Sequence, residues 1–366
     1  MIKNIIFDLG NVILKGKPSA ILDNIEINDN EREIIKNTFF NNWKDLVLGN
    51  ITIKEHFENS NIPIEISEEL KEILINHYKY REFNLEILRL MKILKYNNYN
   101  IYILSNNNKE TYEYLLKLPE FKYVDGWVVS CDYKTSKPDK KIYEILFEKY
   151  NIKPEESFFI DDKKTNIEIG NELGMKGHVL NYERDGINEL LKDLDKNNII
   201  LEKRDLYNEK RELTGETIYK REEIPEGKYI TVVLVFIQNS EGKFLIQKRS
   251  KRKNGKFATT GGHPKSGEDS IQGIITEVKE EIGLDIKQED LQLYFSGKSD
   301  EEKVFWDDYY IKMDIPNIEE LNLQKEEVES VHWFSIDQIK QLMKEDKFFK
   351  NDYEEFEILL EFLNSI

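Results

Sequence analysis

The sequence predicts two domains in one chain, an α/β domain followed by a domain that combines strands and helices. The chain has 366 residues, more than one ordinary core accommodates, so two domains of about 150 to 200 residues are expected. The first half alternates short apolar runs with helical segments, as α/β domains do. The second half contains a glycine-rich turn and then a helix that carries several glutamates.

The first predicted strand ends in a carboxylate. Ile5, Ile6 and Phe7 form a continuous apolar run that breaks at Asp8. Such a run is typical of a buried parallel strand, and ligands bind beyond the carboxyl ends of these strands. The sequence from about residue 16 to residue 84 has the spacing of apolar residues that predicts helices. Because long helical insertions at a strand edge tend to be lids, we expect a helical cap over Asp8.

Three further predicted strands are followed by polar residues. The strands are 100–104, 127–129 and 157–160, and the residues after them include Ser105, Lys137, Asp161 and Asp162. A parallel sheet brings such strand ends to one edge. A carboxylate nucleophile, a hydroxyl group, an ammonium group and an acid pair for a metal are the components of a phosphoryl-transfer site.

These four positions resemble the four motifs of the haloacid dehalogenase superfamily, subfamily IA with a helical cap, over about residues 1 to 195. The resemblance implies a Rossmann-like parallel sheet and an aspartyl-phosphate formed on Asp8. It implies that phosphate is bound by Ser105, Lys137 and the Asn106 amide. It also implies that Mg²⁺ is held by Asp8, the carbonyl of Gly10, Asp161 and Asp162, with Asn166 in support. The segments DLGNV, LSN and FIDD are most similar to the glucose-1-phosphate phosphatase branch.

Gly10 departs from the superfamily pattern. Most phosphatases of the superfamily carry an Asp there as general acid and base, a role worth roughly 10² to 10⁴ in rate. We therefore expect modest turnover, or a requirement for an acidic leaving group. The structural alternatives are a turn role for Asp8, a solvated Lys137, and helix capping by Asp161 and Asp162.

The most informative stretch is 262–284, which predicts a turn, a helix and a C-cap at Gly283. On a helix, Glu277, Glu280 and Glu281 share one face. Carboxylates this close repel one another unless a hard divalent cation neutralises them, and such oxygen ligands suit Mg²⁺ or Mn²⁺. This face is therefore predicted to bind a metal.

The same stretch resembles the signature of the Nudix hydrolases. The matching positions are Gly262, Glu268, Glu277, Val278, Glu280, Glu281, Gly283 and Leu284. The resemblance implies an α+β sandwich with a mixed sheet, Mg²⁺-dependent cleavage of a nucleoside diphosphate-linked compound, and a catalytic role for Glu277. One position departs, because the arginine of the family is Thr276 here. A solvated acidic helix is the structural alternative.

The domains are predicted to be 1–198 and 199–366, and 205–218 resembles the first strand and turn of one group of Nudix proteins. A basic cluster precedes the signature and consists of Lys248, Arg249, Lys251, Arg252, Lys253 and Lys256. It predicts binding of diphosphate oxygens, above all by Arg249, with a solvated loop as the alternative. Glu326 and Glu327 are candidates for a further metal ligand or a general base.

Composition narrows the class of protein. The net charge of −17 disfavours binding to nucleic-acid backbones. The single cysteine, Cys131, excludes an internal disulfide. The N-terminal run is too short for a signal peptide, and no run approaches the roughly 20 apolar residues of a membrane span. We therefore expect a cytoplasmic protein that acts on small phosphate and diphosphate substrates, with its oligomeric state open.

Three functions are compatible with these residues. The first is a bifunctional hydrolase with two active domains. The second is a regulatory or sensor protein in which one domain has lost turnover, which Gly10 and Thr276 motivate. The third is an isopentenyl-diphosphate isomerase-like protein. The triplet GHP at residues 262–264 also occurs in these isomerases, which are related to Nudix proteins, although they need a cysteine where this chain has Gly261.

Overall fold

The computed structural model describes residues 1–365, apart from the side chain of Arg252. The chain divides into two compact units, Met1–Leu201 and Glu202–Ile366, and each is described separately. No helix in the described part of the chain combines the length and the apolar character that crossing a membrane requires.

The first unit is built on a five-stranded parallel sheet. Its strands are β1 (Asn4–Phe7), β2 (Asn100–Ser105), β3 (Gly126–Val129), β4 (Ser157–Asp161) and β5 (Lys176–Val179), in the order β3-β2-β1-β4-β5. β1 is central, with β2 and β4 as its two neighbours. The ends of these three strands therefore lie side by side, which brings Asp8, Ser105 and Asp161 to one edge of the sheet.

Helices cover both faces of this sheet. After the first strand, the helices are α1 (Asp29–Thr38), α2 (Lys44–Val47), α3 (Ile53–Asn59), α4 (Glu68–Ile75), α5 (Leu85–Tyr96), α6 (Lys109–Leu115), α7 (Ser130–Tyr133), α8 (Lys140–Tyr150), α9 (Lys164–Glu172), α10 (Tyr182–Asp185) and α11 (Asn188–Lys196). Ile5 and Phe7 pack in a cluster with residues of α5 and α11, whereas Ile6 packs with residues of α8 and α9. The strands are apolar on both faces because both faces are covered.

Helices α1 to α4 form a separate apolar cluster around Phe39 and Leu46. Asn28 and Thr52 begin α1 and α3 with reciprocal capping boxes, which satisfy backbone N–H groups that these short helices leave unpaired. His77 lies among the aromatic rings of this cluster, and burial lowers the pKa of His77 to about 4.

The second unit contains a seven-stranded mixed sheet and a two-stranded hairpin. The hairpin consists of β6 (Lys203–Tyr207) and β7 (Leu213–Tyr219). The sheet consists of β8 (Ile230–Gln238), β9 (Phe244–Arg249), β10 (Phe257–Ala258), β11 (Thr260–Gly262), β12 (Gln292–Ser299), β13 (Val304–Lys312) and β14 (Val328–Phe334). The β8 and β13 strands are parallel, and the other pairs are antiparallel. The predicted parallel sheet and mixed sheet are both confirmed.

The mixed sheet has helices on both faces. These are α12 (Ser270–Ile282), α13 (Ile336–Lys344) and α14 (Asp352–Ser365). Val233, Val235 and Ile237 of β8 pack with α12, whereas Leu234 and Phe236 pack with α13 and α14. β8 and β9 pair only at Gln238 and Phe244, and beyond that point β11 pairs with β8 while β10 pairs with β9. Strands β8 and β9 therefore separate, and β10 and β11, which lead to the predicted metal-binding helix, pair with them there.

Gly273 allows α12 to approach the turn before it. A Cβ atom at Gly273 would lie 2.5 Å from Cγ of Pro264 and 2.7 Å from its Cβ. Glycine within a helix costs about 1 kcal/mol relative to alanine. The close contact with Pro264 explains why the sequence accepts that cost.

We predict that Gly273→Ala destabilises the protein despite the better helix propensity of alanine. Overpacking costs about 1 to 3 kcal/mol, and the gain in propensity offsets about 1 kcal/mol of it. Urea unfolding followed by far-ultraviolet circular dichroism measures the net loss. Gln272→Ala, at the exposed neighbouring position, is the control and should change stability little. A more stable Gly273→Ala protein would contradict the packing argument.

Candidate active sites

The buried ammonium group of Lys137 joins two predicted site residues of the first unit. Its Nζ lies 2.8 Å from Oδ1 of Asp8 and 2.6 Å from Oδ2 of Asp161, and it donates to the carbonyl oxygen of Leu104 at 2.7 Å. Burial alone would lower the pKa of Lys137, but Asp8 and Asp161 raise it above the ordinary value. Lys137 is therefore a buried cation and not a solvated loop lysine.

Asp8, Asp161 and Asp162 form a group whose ligand oxygens all lie within 4.8 Å of one another. Burial raises the pKa of Asp8 to about 6, while the Lys137 ammonium opposes the shift. Asn11 donates to Asp162 at 2.7 Å, and Asn166 donates to Asp161 at 2.9 Å. Three carboxylates and one ammonium group leave a net negative charge that a divalent cation can neutralise, and oxygen donors suit Mg²⁺.

Two further predicted residues lie beside this group. Asn106 accepts a hydrogen bond from the backbone N–H of Lys137 and donates its side-chain amide to the Lys137 carbonyl, both at 2.8 Å. Its side chain thus fixes the loop that carries the lysine. Ser105 is buried at the end of β2. Asn11 was not predicted, because its contact with Asp162 spans 151 residues and leaves no local pattern in the sequence.

A cavity of about 300 Å³ opens over these residues. Asp8, Gly10, Lys137 and Asp162 line one side. The segment between β1 and α5 contributes Trp43, His77, Tyr78 and Arg81 to its lining. Nothing lies within 4 Å of the point that a Cβ atom on Gly10 would take. The position of the missing acid is therefore open space.

In the second unit, α12 begins at the N-cap Asp269 and ends at Gly283, which has the left-handed φ of 72° that favours glycine. Glu277 accepts a hydrogen bond from the backbone N–H of His263 at 3.0 Å, and Glu281 accepts one from Gln247 at 3.0 Å. Glu280 is exposed and forms an ion pair with Lys265. Among the described residues, these three glutamates do not converge as closely as Asp8, Asp161 and Asp162 do.

Burial raises the pKa of Glu277 to about 7 and the pKa of Glu281 to about 8, and repulsion between acids adds to both shifts. Ordinary glutamates titrate near 4.3. Buried carboxylates that resist ionisation are strongly stabilised by a neighbouring cation. This environment favours a bound cation, but among the described residues the carboxylates of these glutamates do not form a compact ligand group.

Thr276, on α12, fixes a glutamate in the turn that precedes this helix. Its hydroxyl donates to Oε1 of Glu268 at 2.8 Å, and the backbone N–H of Lys265 donates to Oε2 at 2.8 Å. Glu268 is therefore fixed at both oxygens. A hydroxyl holds this glutamate at the position where the Nudix signature has an arginine.

The hairpin contributes charged residues that the sequence did not predict. Arg204 interacts electrostatically with Glu202 and Glu277, and Lys220 donates to Glu202 at 2.7 Å. The only sequence signal was the charge alternation that follows residue 201.

Burial lowers the pKa of His263 well below its ordinary value, and the nearby cations Arg204, Lys220 and Lys253 lower it further. The imidazole is therefore neutral.

Three of the six residues of the basic cluster form ion pairs with acids. Lys248 pairs with Glu329 at 2.6 Å, Lys256 pairs with Asp346 at 2.8 Å, and Lys253 pairs with Glu327. Arg249 stacks on Phe349 with its guanidinium 4.5 Å from the ring centre. Arg249 and Lys253 line a cavity of about 830 Å³ together with Gly262, His263 and Glu281. The side chain of Arg252 lies outside the described residues, and Glu326 contacts Ser250 only through its carbonyl.

Comparisons with known proteins match both halves of the chain. Residues 2–174 match the sequence model of haloacid dehalogenase-like hydrolases, and residues 228–355 match that of the NUDIX domain. A Nudix hydrolase of Listeria monocytogenes is 34% identical over 152 residues, which cover 40% of this chain and 88% of the relative. The chain belongs to the Nudix hydrolases. It is a hydrolase in which a haloacid dehalogenase-like domain precedes the Nudix domain.

The haloacid dehalogenase-like domain also has a named relative. The D-ribitol-5-phosphate phosphatase of Bacteroides thetaiotaomicron is 27% identical over 193 residues, which cover 48% of this chain and 90% of the relative. Among solved structures, a haloacid dehalogenase family enzyme of the same organism, in complex with magnesium and inorganic phosphate, aligns with a TM-score of 0.39 and 24% identity. That alignment covers 49% of this chain and 93% of the other.

Two adjacent acids on β13 of the Nudix domain have opposite environments. Asp307 accepts hydrogen bonds from Arg211 and Ser270, and also from Ser296 at 2.6 Å. Burial opposes its ionisation, but these donors lower the pKa of Asp307 below the ordinary value. Asp308 is wholly buried, and neither of its oxygens has a hydrogen-bond partner among the described residues. Burial raises the pKa of Asp308 to about 8, with repulsion from Glu355 adding to the shift.

We predict that Asp308→Asn becomes more stabilising as the pH rises. The folded pKa of Asp308 is raised, so its contribution is fully present below the unfolded pKa near 3.9 and is lost as the pH rises through about 8. Asparagine has no proton to lose. Compared with the wild type, the variant should gain more than about 1 kcal/mol between pH 5 and pH 8 in urea unfolding.

Asp307→Asn is the matched control for this experiment. The folded pKa of Asp307 is lowered, so its stabilisation is already present above the unfolded pKa. Removing that carboxylate should therefore destabilise the protein by the same amount at pH 5 and pH 8. Equal effects of Asp308→Asn at the two pH values would show that Asp308 is ionised throughout this range.

We also predict that Gly262→Ala disables the Nudix domain without unfolding it. A Cβ atom at Gly262 would lie 2.2 Å from Oε1 of Glu277, so the carboxylate must move. Displacing a reacting group by about 1 Å costs on the order of 10²-fold in rate. Metal-dependent diphosphate hydrolysis measures this loss, and phosphomonoester hydrolysis by the same sample is the internal control. Unchanged diphosphate hydrolysis would show that Glu277 is not needed in this position.

Proposed function

We propose that this protein is a bifunctional Mg²⁺-dependent hydrolase. The first domain removes phosphate from a small phosphorylated metabolite, and the Nudix domain cleaves a nucleoside diphosphate-linked compound. The observation that carries the proposal is the convergence of Asp8, Asp161 and Asp162 beside the buried Lys137. A carboxylate, a fixed ammonium group and a set of oxygen ligands are what phosphoryl transfer needs.

In the first domain, Asp8 would attack phosphorus and form an aspartyl-phosphate, while the bond from phosphorus to the substrate oxygen breaks and that oxygen takes a proton from water. Lys137, Ser105 and the Asn106 amide would bind the phosphate oxygens. Asp8, the carbonyl of Gly10, Asp161 and Asp162 would hold Mg²⁺, with Asn166 orienting Asp161. When bound, the ion would offset the negative charge of the phosphate. Water would then hydrolyse the aspartyl-phosphate and regenerate Asp8.

The open space at Gly10 bears on the choice of substrate. Gly10 supplies no proton to the departing oxygen, so the site favours a leaving group that needs little protonation. A sugar 1-phosphate has a more acidic leaving group than a polyol phosphate, which supports the glucose-1-phosphate branch. The relative that acts on D-ribitol 5-phosphate supports a polyol phosphate. The cavity of about 300 Å³ suits either compound.

In the Nudix domain, Glu277, Glu280 and Glu281 would hold Mg²⁺ or Mn²⁺, and Glu277 would also accept the proton of the attacking water. Arg249 would bind a diphosphate oxygen. The proposal requires the three glutamates to draw together when the metal binds, and Glu280 to exchange its partner Lys265 for the ion. When bound, the metal would stabilise the negative charge that builds up on the diphosphate.

Gly261 counts against the isomerase alternative. A Cβ atom at this position would lie 2.5 Å from the carbonyl oxygen of Val233 and 2.8 Å from Cβ of Leu234. The pairing of β11 with β8 thus leaves no room for the cysteine that those enzymes need. The regulatory alternative, in contrast, rests on Gly10 and Thr276 and is separated from the hydrolase by experiment.

We predict that Asp8→Asn and Glu280→Gln each remove one of two Mg²⁺-dependent activities. Phosphate release is measured with glucose 1-phosphate, D-ribitol 5-phosphate and a panel of nucleoside diphosphate-linked compounds, with and without EDTA. Asp8→Asn should lower phosphomonoester hydrolysis by on the order of 10³-fold or more, since it removes the nucleophile. Glu280→Gln should lower diphosphate hydrolysis by more than about tenfold.

Asp285→Asn is the control, because Asp285 is exposed just beyond α12 and contacts only Lys279 among the described side chains. It should leave both activities unchanged. If one activity is absent from the wild type, the corresponding domain is regulatory. If an activity survives its variant at full rate, the residue that was changed is not part of the site. If neither variant changes any metal-dependent release, the bifunctional hydrolase is wrong.

A further inference from the structure

The cavity of the Nudix domain contains buried acceptors that the described chain leaves unpaired. Asp308 is 0% exposed, lines the cavity, and has no hydrogen-bond partner at either oxygen among the described residues. Oε2 of Glu355 and Oε1 of Gln247 also line it and are equally unpaired. An unpaired buried acceptor costs about 1 to 3 kcal/mol. Such groups in a cavity wall indicate a ligand that supplies donors.

The same domain satisfies its other buried acids. Asp307, one residue away, is held by Arg211, Ser270 and Ser296. Asp352 accepts the backbone N–H of Thr259 at 2.9 Å. Asp352 lines the same cavity and is paired, so an acid in this wall can find a partner within the chain, and Asp308 has none among the described residues.

The strand register fixes the distance between Asp308 and the predicted diphosphate site. Asp308 lies opposite Leu234 on β8, and Leu234 lies opposite Gly261 on β11. Two strand spacings of about 4.8 Å separate Asp308 from Gly261 by roughly 10 Å. Gly262 and His263 follow directly at the start of the Nudix signature. A nucleobase lies about one sugar away from its diphosphate, so this separation suits a nucleotide.

The chemistry of the cavity wall favours an amino-bearing base. Among the described residues that line the cavity, Asp308, Glu355 and Gln247 carry unpaired oxygens, whereas a single buried donor, Nε1 of Trp306, is unpaired. Trp306 and Phe349 add flat aromatic surface, which suits a planar ring. An exocyclic amino group supplies two donors to such a wall. A carbonyl oxygen in the same place would meet the oxygens of Glu355 and Gln247, and the proton of Asp308 would be the one donor that a carboxyl group offers it.

We propose that Asp308 and Glu355 form a subsite that binds the amino group of the substrate nucleobase. Adenine and cytosine derivatives are therefore the substrate class, in preference to hypoxanthine and uracil derivatives. This inference rests on the proposed function, because it takes the diphosphate to lie at the Nudix signature. It deepens that function by naming the part of the substrate that is recognised.

The test measures binding, so that it does not depend on turnover. Titration calorimetry with the full-length protein and Mg²⁺ compares the α,β-methylene analogues of ADP and IDP, and of CDP and UDP. These analogues resist hydrolysis, and each pair differs at the amino group. We expect the ADP and CDP analogues to bind about tenfold or more tightly than their partners, since a site built around a donor rejects the compound that lacks it.

Asp308→Asn should reduce this preference to less than about twofold, because the new amide offers donors to a carbonyl oxygen. Glu355→Gln tests the second acid and is independent of the folding of the first variant. Glu361→Gln, an exposed acid on the same helix, is the control and should keep the full preference. Thermal unfolding checks that each variant is folded.

Equal binding of both members of each pair by the wild type would overturn the subsite. So would a preference that survives in both Asp308→Asn and Glu355→Gln, or the absence of binding by all four analogues. Selective binding without hydrolysis of natural nucleotides would support the subsite while refuting the proposed catalysis. The two failures are therefore distinguishable.

Discussion

The buried ammonium group of Lys137 is the interaction on which the first site depends. Two carboxylates cannot both ionise side by side in a buried environment unless a cation compensates them. Lys137 contacts Asp8 and Asp161 within 2.8 Å, and the Leu104 carbonyl and the Asn106 side chain hold the lysine in place. Among the described residues, Asp162 accepts a side-chain hydrogen bond only from the neutral amide of Asn11. The charge that remains is negative and local, which is why this edge of the sheet suits a second cation.

The residues of this site were predictable because they are tied to strand ends. Apolar runs before Asp8 and Asp161 mark buried strands, and parallel strands bring their carboxyl ends to one edge. The strand order was not predictable, since it is set by how helices pack on the two faces. β5 was missed because its sequence, KGHV, contains a lysine, a glycine and a histidine and lacks an apolar run. β5 is an edge strand in which only His178 is buried, so it needs no such run.

The Nudix signature was predictable for a different reason, since its turn, helix and cap are local. The surrounding site is assembled from distant segments. Arg204 comes from the hairpin, Glu202 and Lys220 flank it, and Gln247 comes from β9. Two adjacent acids in the strand VFWDDYYIK show that one carboxylate points to each face. The sequence does not show which carboxylate has partners, because Arg211, Ser270 and Ser296 are far from it in the chain.

The two departures from the family patterns differ in their physical consequences. At Thr276, a hydroxyl and the backbone N–H of Lys265 hold Glu268, and Lys265 also places its ammonium group on Glu280. The orientation of a glutamate, which the arginine of the family would supply, thus comes from a hydroxyl group and a backbone N–H. At Gly10 there is no comparable substitute among the described residues, because none beyond its two chain neighbours lies within 4 Å of the position that a Cβ atom would take. The hydrogen bonds that the missing arginine would make are therefore replaced at Thr276. At Gly10 no general acid replaces the missing one, so the leaving group has to depart without a proton from that position. Loss of efficiency in one domain carries no implication for the other.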